Sequence, residues 1–229
     1  MNLETIFAET RIRLYDQDYL EIKSQINFLS RLCDITEIFS LNKLFRFSKL
    51  IILDRTKTKI ILVILQNPSN DDLNPSSNYH KIIKLISDQD DNIHSIIMIN
   101  LFARIESDIK NWKNINQLID QDEKNNMIYI KNNIFNISYD EYYLGYGQHI
   151  QYMYKSKIFR PIYCEFLSHF LLLENIIMKK FHSEYCKIDK KFELPGYPLP
   201  RGRSKPINIT MIDKLILQKY YDNYSRVKK

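Results

Sequence analysis

Glycine is scarce in this chain of 229 residues, which has only four where average usage is roughly 7%. The four glycines lie in two short segments, 145–147 and 196–202. Six of the seven prolines are clustered as well, two in residues 68–75 and four in residues 195–206. Glycine permits backbone conformations that other residues avoid, and proline stiffens a loop. Turn-forming residues are therefore concentrated in three places along the chain.

Cysteine is also rare, and long apolar runs are absent. The three cysteines, Cys33, Cys164 and Cys186, are odd in number and have no close pairing, which argues against a disulfide framework. The amino terminus has no apolar core of the kind found in signal peptides. No stretch approaches the ~20 apolar residues of a membrane span. These features predict a soluble, intracellular protein without a membrane partner, and they do not distinguish cytoplasm from nucleus.

Familiar cofactor and metal motifs are missing. The chain has no glycine-rich phosphate loop, no H-E-x-x-H, no G-x-S-x-G and no C-x-x-C. The five histidines are scattered, and none has a ligand-like partner at helical spacing. We therefore predict neither a metal site nor a cofactor. His149, just past the first glycine pair, is the histidine best placed to reach a substrate-binding crevice.

Positive charge is concentrated at the carboxyl end. Residues 1–186 carry 22 Lys/Arg against 23 Asp/Glu, whereas residues 187–229 carry 11 against 4, a net charge of +7. This asymmetry predicts an anionic partner near that end. A solvated basic tail is the alternative interpretation.

The hydrophobic periodicity predicts alternating helices and strands. Predicted helices cover residues 1–45, 78–87, 110–123, 159–180 and 208–220. Predicted strands lie within residues 41–54 and at 59–65, 95–102, 141–147 and 183–188, with a hairpin turn at 54–58 and a small hairpin at 125–139. The runs at 59–65 and 95–102 are almost continuously apolar, which is typical of strands buried on both faces.

This alternation predicts a single α/β domain. We expect a three-layer α/β/α arrangement around a mainly parallel central sheet of four to five strands. Residues 1–45 would form a helical extension, residues 46–206 the core, and residues 207–229 a basic carboxyl-terminal helix and tail.

A polar loop follows the first buried strand, and open α/β sheets usually place their ligand at such strand ends. Asn67 can donate and accept hydrogen bonds and so orient a water or a base. Asp71 and Asp72 are candidate general bases, although solvated loop acids are the commoner case. The predicted substrate-binding residues at this crevice are Gln66, Pro68, Ser69, Asn100, Arg104, Gly147 and His149.

The segment Leu194–Pro206 combines an aromatic residue with basic residues on a proline-stiffened backbone. Basic side chains neutralise phosphates, and an aromatic ring can stack on a base. We predict that this loop binds nucleic acid through Tyr197, Arg201, Arg203 and Lys205. Basic loops also occur on proteins that never touch nucleic acid.

Four short motifs resemble the domain of unknown function 1643 family. They are Leu65-Gln66-Asn67-Pro68-Ser69, Asn100-Leu101-Phe102-Ala103-Arg104, Gly145-Tyr146-Gly147 and Gly196-Tyr197-Pro198. The family shows strands ending in LNPS, NLFA-x-R and WG, and a late G-x-P-R-H-P-L-Y loop. The resemblance covers about residues 45–205. The closing histidine of that family is absent here.

At greater distance the layout resembles the uracil-DNA glycosylase superfamily. That resemblance implies that Asn67 positions a hydrolytic water, that Asn100 lies where a base is recognised, and that the 195–206 loop holds DNA. The leading hypothesis is a glycosylase-like protein that binds a nucleobase or nucleic acid and hydrolyses an N-glycosidic bond. The alternatives are a non-catalytic nucleic-acid or protein interaction module on the same fold, and hydrolysis of a small nucleotide.

Overall fold

The computed structural model describes residues 19–29, 31–40, 43–66, 68, 78–103, 105, 121–146, 159–182 and 208–225. Its strands are β1 (Tyr19–Phe28), β2 (Arg31–Ser40), β3 (Arg46–Ile52), β4 (Lys59–Leu65), β5 (Ile93–Asn100), β6 (Glu141–Gly145), β7 (Ile177–His182) and β8 (Asn208–Met211). Its helices are α1 (Asn78–Ser87), α2 (Gln121–Tyr129), α3 (Phe159–Leu172) and α4 (Lys214–Ser225), with a π-helical turn at Ile130–Ile134 directly after α2.

The described strands form one mixed sheet of eight strands in the order β1-β2-β3-β5-β4-β6-β7-β8. Four of its seven pairings are antiparallel, and the parallel ones join β5, β4, β6 and β7. The predicted mainly parallel sheet of four to five strands in a three-layer domain is therefore wrong. A buried apolar run identifies a strand but not its direction, and the sequence predicts no strand at β1, β2 or β8.

The predicted helix over residues 1–45 is wrong wherever the structure describes this segment, because Tyr19–Ser40 forms the β1–β2 hairpin. From Ile22 to Phe28 the even-numbered residues are the less exposed ones, which is the two-residue period of a strand. Leu29 follows Phe28, the last residue of β1, and takes a left-handed backbone conformation with φ of 47°. Hairpin turns of this kind usually carry Asn or Gly, so the turn left no signal in the sequence.

Other segments also differ from prediction. β3 pairs with β2 and β5 rather than with β4, so the turn at 54–58 does not close a hairpin. Residues 125–134 are helical instead of a hairpin. The predicted helices 159–180 and 208–220 each combine a strand with a helix, β7 following α3 and β8 preceding α4. The predicted strand 183–188 lies outside the described residues.

Each face of the sheet packs against helices. On one face, Ile82, Ile83 and Ile86 of α1 contact Ile61, Val63 and other apolar residues of the central strands. We call this the α1 face. On the other face, residues of α2, α3 and α4 cover the alternate positions of the same strands. Consecutive residues of β4 and β5 thus serve two cores, which explains their continuous apolar runs.

A closed ion network occupies the amino ends of the parallel strands. The Glu141 carboxylate, at the start of β6, accepts from Lys59 Nζ at 3.0 Å and from Lys179 Nζ at 2.6 Å. Tyr143 donates to the same carboxylate at 2.9 Å, and Lys59 also pairs with Asp90. The two positive charges of the lysines and the two negative charges of the carboxylates therefore balance within this network.

Candidate functional site at the carboxyl ends of the central strands

The carboxyl ends of β4, β5 and β6 lie side by side. Leu65, the last residue of β4, is the register partner of Asn100 on β5 and of Gly145 on β6. Beyond the strands, Leu101 N–H donates to the Leu65 carbonyl at 2.9 Å and Phe102 N–H to the Gln66 carbonyl at 3.0 Å. We call this region the carboxyl edge. It is the part of the sheet at which the sequence predicts a ligand site.

Three predicted substrate-binding residues, Gln66, Pro68 and Asn100, belong to the described part of the chain, and all three are buried. The remaining predicted site residues lie outside it. These are Asn67, Asp71 and Asp72, Ser69, Arg104, Gly147 and His149, and Tyr197, Arg201, Arg203 and Lys205.

Buried amide atoms without partners distinguish the carboxyl edge. Gln66 Nε2, Asn100 Oδ1 and Asn126 Oδ1 have no hydrogen-bond partner among the described residues, although their side chains are at most 2% exposed. Asn126, on α2, donates from Nδ2 to the main-chain carbonyl of Asn100 at 3.4 Å, so these two residues lie at the same strand end. A buried polar atom left without a partner costs about 1–3 kcal/mol. We call these three residues the amide group.

A cluster of buried side chains joins β2, β3 and α1. Glu37 of β2 accepts from Arg46 at 3.2 Å and from Lys49 at 3.0 Å, both on β3. Arg46 and Lys49 lie 4.7 and 4.6 Å from the ring centre of Tyr79, the second residue of α1. Arg46 also donates to the Tyr79 hydroxyl. We call these four residues the cation cluster.

A β-bulge places both cations on the α1 face. Residues three apart on a regular strand point to opposite faces. Between β2 and β3, however, Ile38 pairs with Ser48 and Phe39 with Arg46, so Phe47 is an extra residue. The bulge turns Arg46 to the side of the sheet that Lys49 occupies, as bulges characteristically re-aim a side chain. Phe47 packs into the opposite core.

Asn100 links the amide group to the cation cluster. Ile96 and Met98 pack on the α1 face, and Asn100 continues that alternation to the same face. Lys49 is the register partner of Met98, and Arg46 N–H donates to the Ala103 carbonyl at 2.7 Å. Along the chain, Asn100 thus lies between Met98, the register partner of Lys49, and Ala103, which follows β5 and accepts a main-chain hydrogen bond from Arg46.

Burial affects the protonation of Lys49 in the cation cluster. Burial, together with the neighbouring positive charge of Arg46, lowers the pKa of Lys49 to about 8. Glu37 raises that pKa and only partly offsets both effects. Arg46 and Lys49 are 1% and 2% exposed. Two positively charged side chains are thus buried close to each other, and Glu37 is a carboxylate partner of both.

The sequence reasoning missed the cation cluster. Glu37 falls within the predicted helix 1–45, and Arg46 and Lys49 fall within the predicted strand segment 41–54, where no role is predicted for them. Two cations within seven strand residues that are otherwise largely apolar (RFSKLII) were the available signal. That signal becomes informative only once the strand is known to be buried on both faces.

The described residues include two thiols and no metal-binding group. Cys33 and Cys164 are free thiols, and burial raises the pKa of each, which makes them poor nucleophiles. The described residues contain no group of three or more His, Cys, Asp or Glu side chains placed to hold a metal ion. Among the described helices, none combines the length and apolar character needed to cross a membrane.

The family model described as protein of unknown function (DUF1643) matches residues 46–172. This range is more than half of the chain, and it runs from the first residue of β3 to the last residue of α3. It contains both cations and the whole amide group, whereas Glu37 lies before it. No curated protein and no solved structure matches the chain.

Proposed function

We propose that this chain, which belongs to the DUF1643 family, binds a nucleobase-bearing ligand at the carboxyl edge of its sheet. The observation that carries the proposal is the amide group. It offers a buried donor at Gln66 Nε2 and buried acceptors at Asn100 Oδ1 and Asn126 Oδ1, none with a hydrogen-bond partner in the described part of the chain.

Amide side chains suit nucleobases because both present neighbouring donors and acceptors. A ligand that supplies the missing partners recovers the cost of burying these atoms without them. A purely apolar ligand cannot recover this cost, because it has no hydrogen-bond donors or acceptors to supply. The position supports the same conclusion, since ligands of open α/β sheets bind outside the carboxyl ends of the strands.

Hydrolysis of an N-glycosidic bond is the catalytic form of this proposal. Asn67 directly follows Gln66 in the chain and would place the attacking water, with Asp71 or Asp72 as general base. A base extruded from DNA, or a nucleotide, would be the substrate. The 195–206 loop would then hold the phosphate backbone through Tyr197, Arg201, Arg203 and Lys205.

Binding and base release are measured separately to test the proposal. Purified protein is dialysed against labelled nucleosides and nucleotides, and base release from uracil- or modified-base DNA is followed for wild type and Asn67→Ala. We expect binding that Asn100→Leu abolishes and release that Asn67→Ala abolishes. Failure to bind any nucleobase-bearing compound would contradict the proposal.

The same experiments separate the rival functions. Binding without release on every substrate contradicts hydrolysis and supports the non-catalytic interaction module. DNA binding that weakens with salt, and weakens further in the double variant Arg201→Ala with Arg203→Ala, supports nucleic acid as the partner. Insensitivity to both salt and this double variant contradicts a DNA partner.

A further inference from the structure

We infer that Arg46, Lys49 and the amino end of α1 form a subsite for the phosphate group of a mononucleotide. This inference rests on the proposed function and deepens it. The ligand would be a nucleotide rather than a free base or a nucleoside.

Geometry brings the donors of the subsite together. The Arg46 guanidinium and the Lys49 ammonium lie over one ring, that of Tyr79, so both are within a few ångströms of the same point. A guanidinium binds phosphate through paired N–H donors, and an ammonium binds it as a compact charge. Both cations already contact Glu37, whose carboxylate holds their side chains in place.

The start of α1 supplies a third source of positive potential. Tyr79 is the second residue of this ten-residue helix, so the helix amino end lies within one tyrosine side chain of the two cations. The first N–H groups of a helix have no partner within it, and the helix dipole favours an anion there. The proposed phosphate thus faces donors from β3 and from α1.

Asn100 provides the independent indication that a ligand reaches this point. Strand alternation puts Asn100 on the α1 face, two residues after Met98, the register partner of Lys49. Its Oδ1 atom is buried without a hydrogen-bond partner among the described residues. An acceptor in this place suits a ribose hydroxyl or a base N–H, the donors that a nucleotide carries next to its phosphate. A purely structural ion cluster would leave Asn100 Oδ1 unexplained.

A purely structural cluster would also be expected to favour the charged lysine. Instead the pKa of Lys49 is lowered to about 8, because burial and Arg46 together outweigh Glu37. An arriving phosphate would reverse this balance by adding negative charge beside both cations.

The experiment compares a nucleoside, its 5′-monophosphate and inorganic phosphate by equilibrium dialysis. We expect the monophosphate to bind at least about tenfold more tightly than the nucleoside, because its phosphate adds charge-assisted hydrogen bonds to the cations. Inorganic phosphate should compete with the monophosphate only. Lys49→Met should remove the difference between the two ligands, whereas Lys59→Met, which removes a lysine from the opposite end of the sheet, should preserve it.

The outcomes separate this inference from the proposed function. Equal affinity for nucleoside and monophosphate overturns the phosphate subsite and leaves the proposed function standing. Absence of binding by both compounds overturns the proposed function itself. A folded Lys49→Met protein that still prefers the monophosphate also overturns the subsite.

A measurement on the wild type covers the case in which Lys49→Met fails to fold. Between pH 7 and pH 9 the preference for the monophosphate should fall as Lys49 loses its proton. The groups facing Lys49 among the described residues are Glu37, Arg46 and Tyr79. A preference that stays constant across this window overturns the inference.

Discussion

Arg46 and Lys49 lie on the same face of β3 although they are three residues apart, because Phe47 is an extra residue in the pairing with β2. A single bulge therefore creates the cation cluster. Without it, one of the two cations would project into the apolar core that contains Phe47 and Leu50.

Removing the Glu37 charge should destabilise the protein strongly. Glu37→Gln leaves Arg46 and Lys49 buried beside each other without the carboxylate that both contact. We expect the free energy of unfolding in urea to fall by about 3 kcal/mol. Glu174→Gln, on the exposed segment after α3, is the control and should change it by less than about 0.5 kcal/mol. A similar small effect for both variants would contradict the structural role of Glu37.

Asn100→Leu should separate stability from binding. The substitution replaces a buried amide by an apolar side chain of similar shape, so we expect the free energy of unfolding to be unchanged or raised by up to about 1 kcal/mol. Nucleotide affinity should fall at least about tenfold. The control is Ser95→Ala, which removes another buried and partnerless polar atom at the amino end of β5. It should leave affinity unchanged; a parallel loss in both variants would contradict a direct role for Asn100.

The ion network at the amino ends should govern acid unfolding. Hydrogen bonds from Lys179, Lys59 and Tyr143 outweigh burial and lower the pKa of Glu141, and Lys59 lowers that of Asp90. Because both folded-state pKa values are lowered, the stabilisation is present above the unfolded values near 4. It is lost as pH falls through the folded values. Glu141→Gln should therefore flatten the acid limb of a plot of stability against pH, and an unaltered limb would contradict this assignment.

His169 should make a separate contribution at mildly acid pH. Its ring stacks on Phe135 with centroids 3.6 Å apart, and burial lowers its pKa to about 4. A histidine with a lowered folded pKa stabilises the fold above its unfolded value of about 6.5, and this contribution is lost as pH falls towards 4. Titration of the imidazole by NMR should show the lowered pKa, and His169→Phe should remove this part of the pH dependence. An imidazole that titrates near 6.5 would contradict it.

The β1–β2 turn offers a stabilising substitution. Leu29 has φ of 47°, a conformation that costs a residue with a β-carbon about 1–2 kcal/mol. Leu29→Gly should raise the free energy of unfolding by about 1 kcal/mol, since Leu29 is partly exposed and loses little packing. Leu32→Gly, at a more exposed leucine inside β2, should instead lower it. Destabilisation by both variants would show that the left-handed turn carries no strain.

Several central elements could be read from the sequence. The uninterrupted apolar run of β4 and the helical spacing of α1 each fit one structure, and both occur where predicted. The same strand-end rule correctly placed Asn100 at the end of a buried strand beside β4. Such elements can be predicted because their hydrophobic periodicity and the turn residues at their ends indicate the same structure.

The elements that could not be read have conflicting or missing local signals. β7 follows α3 after a short connection without glycine or proline, so its apolar residues extend an apparently helical run. The turn of the β1–β2 hairpin contains Leu29 in a left-handed conformation, and leucine is not a residue that indicates such a turn. The cation cluster depends on a bulge and on contacts between β2, β3 and α1, which are distant in the chain. No local pattern encodes such a contact.

The balanced network of Lys59, Asp90, Glu141 and Lys179 has a practical consequence for anyone who wishes to attach the protein to a surface. Its charges and hydrogen bonds are already matched within the fold. An affinity tag or a dye placed in the nearby turn at residues 54–58, which is described and largely exposed, would lie a full strand length from the carboxyl edge. Binding measurements on the immobilised protein would then report on the opposite end of the sheet without obstruction.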